Sequence, residues 1–369
     1  MFEYLFIAFV VIFCIQFIYY VFIFGSFSFS KNKTHEKDFN QPVSIIICAK
    51  NEAKNLKKNL PFFINQNYSN FELVLINDCS RDTTLKVMEQ FKDETSITIK
   101  IVDVKDNEQF WGSKKYALTL GIKAASFENL LFSDADCKPA TENWITEMTR
   151  NFSSNHQIVL GYGAYEKVKK SFLNKLIRFE TLLTAIQYFS YAKIGKPYMG
   201  VGRNLAYTKS LFFSVNGFAE HIKIKSGDDD LFINQVATNK NVNYCISEES
   251  FTVSTPKTTF NNWFQQKRRH VSTATHYRPI HKFLLGLFYA SQLLFWVLAC
   301  ILLAFLFNWM YVVGLIIIRL LLQYLMIGFA AKKLNEKDLV LFAPFFEFFL
   351  ILIQLFIFIK NLISKPTHW

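Results

Sequence analysis

The chain has 369 residues, 51% of them apolar and 41 of them Phe, with a formal net charge of +12. That length allows one sizeable domain plus additions. The six cysteines show no C-x-x-C pairing and read as small apolar fillers in a reducing compartment. The positive charge calls for an anionic partner. No nucleic-acid-binding motif accompanies it, so a membrane leaflet or an anionic substrate fits better than nucleic acid.

The run Leu5 to Phe24 carries no formal charge, and a bilayer core needs about 20 apolar residues per helix, so a first membrane span is expected near 4–24. Glu3 precedes it and no clear small-x-small site follows, which argues against a signal peptide. Lys31, Lys33 and Lys37 come next. By the positive-inside rule the N-terminus is then outside and the middle of the chain cytoplasmic.

Positions 31–282 form a polar block with 35 of the 41 basic and 25 of the 29 acidic residues, a net charge of +10. Lys31 to Gln41 reads as a linker. VSIIIC (43–48) predicts a buried strand, Glu52 to Gln66 a helix, FELVLIN (71–77) a strand and Asp82 to Phe91 a helix. ITIKIVDV (97–104) alternates as a third strand, Lys114 to Ala125 reads as a helix, and NLLFS (129–133) as a fourth strand. This alternation predicts an α/β layered domain with a mainly parallel sheet. Ser171 to Phe189 is apolar at helical spacing and reads equally as an interfacial helix or a core helix. Three further spans are expected near 283–307, 310–329 and 339–359, with the loop 331–338 cytoplasmic and the tail outside, although Lys360 and Lys365 run against that placement. Arg319 and Glu347 lie inside spans, where a lone charge is costly, and are expected to pair.

Ligands of parallel sheets bind beyond the carboxyl ends of the strands. Ala49-Lys50-Asn51-Glu52 follows the first strand, Asn77-Asp78-Cys79-Ser80-Arg81-Asp82 the second, and Asp134-Ala135-Asp136 the fourth. Singly, each has a bland reading as a turn or helix start. Jointly they point to a nucleotide site.

VSIIICAKNEAKNL, ELVLINDCSRDTT, FSDADCKP, GVGRNLAY, GDDDLF and QQKRRH occur in that order between Val43 and His270. The set resembles the inverting family 2 glycosyltransferases with the GT-A (nucleotide-diphospho-sugar transferase) fold. The resemblance implies a Rossmann-like domain at 31–282, between an N-terminal transmembrane helix at 1–30 and a C-terminal region at 283–369 with about three transmembrane helices. It assigns Asp78 to the base or ribose of the nucleotide, with Ala49, Asn51 and Glu52 lining the same pocket. Lys114, in GSKKYAL, falls near the donor. Asp134 and Asp136 match the DxD motif, which holds Mg²⁺ or Mn²⁺ against the nucleoside diphosphate, Asp134 also meeting the donor. The catalytic base is Asp229 or Asp228, depending on how GDDDLF is aligned with the family. QQKRRH resembles the QxxRW motif: Gln265 and Arg268 match, and Arg269 stands where Trp is usual. The same helix also reads as a basic helix lying on anionic lipid.

The expected protein is therefore an integral protein of the inner membrane with a cytoplasmic catalytic domain, serving the cell envelope. It would move a sugar from a nucleotide-sugar, UDP-linked by expectation, to a lipid or membrane-associated saccharide. A processive polysaccharide synthase with export and a catalytically silent membrane scaffold of the same fold are the alternatives.

Overall fold

The computed structural model describes residues 1–31, 40–105 and 114–364. Lys33 and Lys37 with most of the expected linker, Gly112 and Ser113 of GSKKYAL, and Lys365 lie outside the described residues. Two compact units form. One comprises Met1–Lys31, Lys169–Ile194 and Thr258–Trp369; the other comprises Asn32–Val168 and Gly195–Lys257.

In chain order the first unit opens with α1 (Phe2–Ile18), one π-helical stretch (Tyr19–Phe24) and α2 (Gly25–Ser28). The second unit then runs β1 (Val43–Ala49), α3 (Ala53–Ile64), β2 (Phe71–Asp78), α4 (Thr84–Glu94), β3 (Ile99–Val104), α5 (Lys114–Ala124), β4 (Asn129–Asp134), β5 (Cys137–Pro139), α6 (Trp144–Thr149), β6 (Ile158–Leu160) and β7 (Gly163–Tyr165). After α7 (Phe172–Lys193) of the first unit, it continues with β8 (Leu205–Thr208), α8 (Lys209–Ser214), α9 (Asp230–Val236), β9 (Val242–Tyr244) and β10 (Thr252–Ser254). The first unit closes with α10 (Phe260–Thr273), α11 (Pro279–Ala304), α12 (Trp309–Lys333) and α13 (Ala343–Ile363).

The second unit is an α/β layered body around a sheet of order β3-β2-β1-β4-β8-β6-β9. β1, β2 and β4 are near-continuous apolar runs because helices cover both faces of a parallel sheet, whereas β3, at the end of the sheet, carries Lys100 and Asp103 and is only partly buried. β1 pairs in parallel with β2 and β4, Cys48 lying opposite Ile76 on one side and Asp134 on the other. The carboxyl ends of the three strands therefore share one edge. β8 is antiparallel to β4, with Leu205 opposite Phe132, so the loop entering β8 arrives at the same edge. On one face Leu56, Leu60, Phe63 and Trp144 form the core with Ile45, Ile47, Leu73 and Leu75. On the other, α5 comes so close that a Cβ at Gly121 would sit 2.1 Å from Ile76 Cδ1; no side chain fits there. A small sheet, β5-β10-β7, lies beside Asp136 in sequence.

In the first unit α1, α11 and α12 pack along one another. Phe2 meets Phe305 with ring centroids 4.8 Å apart, Phe9 stacks on Phe295 at 4.9 Å, and Tyr19 OH donates to Leu284 O at 2.6 Å. Phe2–Ser28, Pro279–Ala304, Trp309–Lys333 and Lys337–Ile363 are each long and apolar enough to cross a membrane. Arg319 and Glu347 do pair, at 2.5 Å and almost fully buried. Gln16 and Gln323 accept two further Arg319 N–H groups at 2.9 and 2.8 Å, and Tyr20 OH donates to Glu347 Oε1 at 2.7 Å. The two buried charges Arg319 and Glu347 are thus met by partners, as burial requires. α7 packs by Phe179 on Phe346 and by Phe189 on Phe27, and its buried Arg178 donates to Glu336 Oε2 (2.9 Å) and Asp338 Oδ2 (2.9 Å). α7 is buried along most of its length against the other helices of the first unit.

Candidate active site

At the shared strand edge the loops after β1 and β2 clasp each other. Asn51 takes φ 57°, a left-handed conformation that Asn tolerates. Its N–H donates to Ser80 Oγ at 3.0 Å, and Arg81 N–H donates back to Asn51 Oδ1 at 2.8 Å. Glu52 N–H donates to Thr84 Oγ1 at 2.9 Å and Ala53 N–H to Asp82 Oδ2 at 3.3 Å. Asn51 thus positions the turn, while Ala49 is buried at the end of β1 opposite Asn77. The buried Asp78 carboxylate lies 3.8 Å from Lys50 Nζ. Burial pushes the Glu52 carboxyl up; Asn55, donating at 2.5 Å, works against it, and the charges of Asp136 and Asp134 add to it.

Lys114, at the start of α5, holds the acidic centre together. Its Nζ donates to Asp134 Oδ1 at 2.9 Å and lies 3.0 Å from Asp228 Oδ2. Burial disfavours the charged amine, but the two carboxylates outweigh it and hold Lys114 well above its usual range. Burial likewise opposes the Asp228 carboxylate, and Lys114 wins there too, so Asp228 stays below the ordinary range. Asp136 is pushed up by burial and by the neighbouring charge of Asp134. A small cavity beyond the strand edge is lined by Cys48, Lys114, Asp134, Gly202, Asp228 and Asp229.

The three aspartates of GDDD do three different things. Asp228 pairs with Lys114. Asp229 is the N-cap of α9; its Oδ1 accepts from Asp230 N–H at 2.8 Å and its Oδ2 from Gly202 N–H at 2.6 Å. Burial, reinforced by Asp228 and Asp230, pushes its carboxyl up to about 7 against the Gly202 hydrogen bond. Asp230 is buried and begins the helix. The sequence favours Asp229 slightly, with Asp228 as the alternative; the ion pair gives the two different surroundings.

Asp134, Asp136 and Cys137 bring one ligand atom each to within 4.8 Å of one another. Two carboxylates on one side of an extended turn suit a hard divalent cation that keeps positions open for phosphate oxygens. The thiol suits it less: Cys137 is fully buried, 2.9 Å from Ser254 Oγ, and burial holds it well above its usual range, protonated. The donor set therefore fits Mg²⁺ or Mn²⁺ on the two aspartates.

Gln265, Arg268 and Arg269 belong to α10 in the other unit. Arg268 is buried there and committed to the end of α13, donating to Asn361 Oδ1 at 2.9 Å and to Ser364 Oγ at 3.0 Å, with Gln265 Oε1 at 3.3 Å. Burial lowers the Arg269 guanidinium from its ordinary range.

Two further residues lie inside the quoted motifs GVGRNLAY and GSKKYAL without a role assigned to them there. Arg203 stacks on Tyr165, 4.3 Å from its centroid, and donates to Ser254 Oγ at 3.0 Å. Lys115 is buried, with Nζ donating to His221 O (2.8 Å) and Ile224 O (3.0 Å), the loop that leads into GDDD. Burial brings its amine down to about 8. A lysine inside an α5 face otherwise made of Ala117, Leu118, Gly121 and Ile122 was the available clue.

Comparison with known proteins agrees with this edge. Residues 44–214 match the family Glycosyl transferase family 2, and residues 133–355, more than half of the chain, match Glycosyl transferase family group 2. An uncharacterised glycosyltransferase of Haemophilus influenzae is 32% identical over 34% of this chain and 37% of its own length. The 4,4'-diaponeurosporenoate glycosyltransferase of Staphylococcus haemolyticus is 26% identical over 48% of this chain and 45% of its own. The chain thus spans less than half the length of either relative. The mannosyltransferase PcManGT of Pyrobaculum calidifontis, solved with GDP-Man and Mn²⁺, has the same fold over 93% of this chain and 98% of its own, with a TM-score of 0.61 at 14% identity. The chain belongs to glycosyltransferase family 2 and is a glycosyltransferase of GT-A fold, with four helices long and apolar enough to cross a membrane.

Proposed function

We propose that the protein transfers a sugar, with inversion, from a UDP-linked donor to the hydroxyl of a lipid or membrane-associated saccharide. The observation that carries this reading is the charge division at Lys114: it pairs with Asp134 and Asp228 and leaves Asp229, raised to about 7, as the carboxylate suited to take a proton. Asp229 accepts the acceptor hydroxyl's proton as that oxygen attacks the anomeric carbon. Ala49, Asn51, Glu52 and Asp78 form the nucleotide pocket. Asp134 and Asp136 are the residues to hold Mg²⁺ or Mn²⁺, which when bound neutralises charge building on the departing diphosphate. Gln265 and Arg269 are the α10 residues proposed to meet the diphosphate; Arg268 joins them only by leaving Asn361 and Ser364.

The membrane reading rests on the four apolar helices. In it the enzyme is an inner-membrane protein with its catalytic unit cytoplasmic, organised as the N-terminal span, the 31–282 block and the C-terminal helices.

The test is a screen of UDP- and GDP-sugars on purified protein in lipid, with and without chelator, reading nucleoside diphosphate release and product length. The reading expects metal-dependent turnover that Asp229→Asn abolishes while Asp228→Asn retains part of it. Equal loss in both variants would return the base to either residue. A ladder of products would indicate repeated addition, and no release from any donor would favour a silent scaffold.

A further inference from the structure

The fourth apolar helix does not follow the other three. α1, α11 and α12 run alongside one another from end to end. At one end Phe2 meets Phe305 and Phe307; at the other Lys333 Nζ donates to Phe27 O at 2.7 Å. α13 starts halfway along them. After Lys333 the chain turns at Asn335 (φ 57°) and the segment Lys337–Phe342 doubles back along α12. Val340 packs on Gly328, and Tyr324 OH donates to Leu341 O at 3.2 Å. Glu347 then meets Arg319, Gln323, Tyr20 and Gln292.

The depth of Glu347 follows from three helices independently. From Ser30 to Tyr20, from Lys282 to Gln292 and from Lys333 to Gln323, each helix rises about 15 Å at 1.5 Å per residue. That is half of a hydrocarbon core about 30 Å thick. Beyond Glu347, α13 turns back. Tyr289 OH, closer to the start of α11 than Gln292, donates to Ile351 O at 3.0 Å, and its ring lies 5.2 Å from Phe358. Arg268 of α10, which precedes α11, donates to Asn361 at 2.9 Å. The end of α13 therefore lies where α11 begins and where α1 and α12 end.

We propose that 334–364 is a re-entrant membrane element. It enters the bilayer from the side of Lys31 and Lys333, reaches the midplane at Glu347 and leaves by the same side, so that only α1, α11 and α12 cross. Glu347 to Ile363 spans about 24 Å of helix for about 15 Å of depth, so α13 is steeply tilted. Its exposed Phe345, Phe348, Leu352 and Phe356 face lipid.

Two physical arguments support this. Lys337–Phe342 enters as a 3-10 helix, which keeps backbone hydrogen bonds within the segment as hydrocarbon requires; Leu339 is fully buried, and the apolar Leu341 and Phe342 are exposed there. The charge pattern also becomes one-sided. Arg278, Lys282, Lys332 and Lys337 sit at one end of the bundle, and the turn 305–308 at the other carries no charge. A crossing α13 would strand Lys360 on the face of Glu3, which carries no Lys or Arg; a re-entrant one places it with the other lysines. The expected placement of the C-terminal tail on the side of the N-terminus is thereby reversed.

Sidedness of labelling tests the proposal and is independent of any donor or acceptor. Single cysteines at Lys332, Leu306 and Lys360 are placed in the full chain and treated with a membrane-impermeant maleimide in sealed vesicles of each orientation. Modified peptides are read by mass spectrometry, so the native cysteines stay. Lys360→Cys is expected to react from the same face as Lys332→Cys, and Leu306→Cys from the opposite face. Leu362→Cys repeats the test should Lys360→Cys fail to accumulate. Reaction of either α13 variant from the Leu306→Cys face, or from neither face while it reacts in detergent, overturns the re-entrant path.

Discussion

The backbone N–H of Gly202 donates to Asp229 Oδ2 at 2.6 Å, and a Cβ on Gly202 would come within 3.3 Å of that same oxygen. The loop before β8 and the cap of α9 thus orient one carboxylate between them. Gly202→Ala leaves the fold intact, because Gly202 does not need a positive φ, but crowds the carboxylate. A misplaced catalytic group costs up to about 100-fold in rate. Turnover of Gly202→Ala is expected to fall by about tenfold or more with the melting temperature nearly unchanged. Unaltered kcat would show that Gly202 does not position the base.

The raised Asp229 carboxyl makes two pH predictions of opposite sign. As a base it works only when deprotonated, so kcat should decline below about pH 7, approaching tenfold per pH unit. For stability, the folded protein holds this proton more tightly than the unfolded chain. The charged carboxylate therefore costs stability increasingly as pH rises from the ordinary carboxylate range to about 7. Asp229→Asn keeps one capping acceptor and loses the other, a cost that does not depend on pH. It is expected to abolish turnover, and its melting temperature relative to the parent should rise from pH 4 to pH 8. A difference from the parent that is the same at both pH values would contradict the burial argument.

β1, β2 and β4 were legible as apolar runs buried on both faces and β3 by its alternation, and the turn residues after them mark the edge. β6, β7, β9 and β10 were not: three residues are too few to show a period. β8 was missed for the same reason, although its antiparallel insertion beside β4 brings Gly202 to Asp229. The sequence favoured Asp229 over Asp228 only slightly, because the difference in their surroundings depends on where Lys114 points. The partners of Arg268 lie on the last helix, which no local motif reveals. Hydropathy gave α13 its length but not its direction, which depends on contacts with Tyr289 and Arg268.

The metal assignment can be read without turnover. Mn²⁺ binding, followed by electron paramagnetic resonance, should weaken by at least about tenfold in Asp136→Asn, since disturbing even groups behind a ligand costs that much. Cys137→Ser should bind as the parent does, because the buried thiol is protonated and hydrogen-bonded to Ser254. Equal weakening in both variants would make the sulfur a ligand and favour a softer ion.

Arg319 and Glu347 are both nearly inaccessible, and each also satisfies other polar groups: Gln16 of α1 and Gln323 of α12 itself accept from Arg319, and Tyr20 donates to Glu347. Removing one charge leaves the other unpaired in an apolar bundle, which costs about 3–5 kcal/mol. Replacing both with apolar residues removes the unpaired charge altogether. Arg319→Leu and Glu347→Leu should therefore each lower the melting temperature in lipid or detergent. The double variant should be clearly more stable than the sum of the two losses predicts, recovering at least the level of the worse single variant. Strictly additive losses in this cycle would mean that the two residues act independently, and that the hydrogen bonds to the glutamines and Tyr20, not the ion pair, hold Glu347 at the meeting point of the helices.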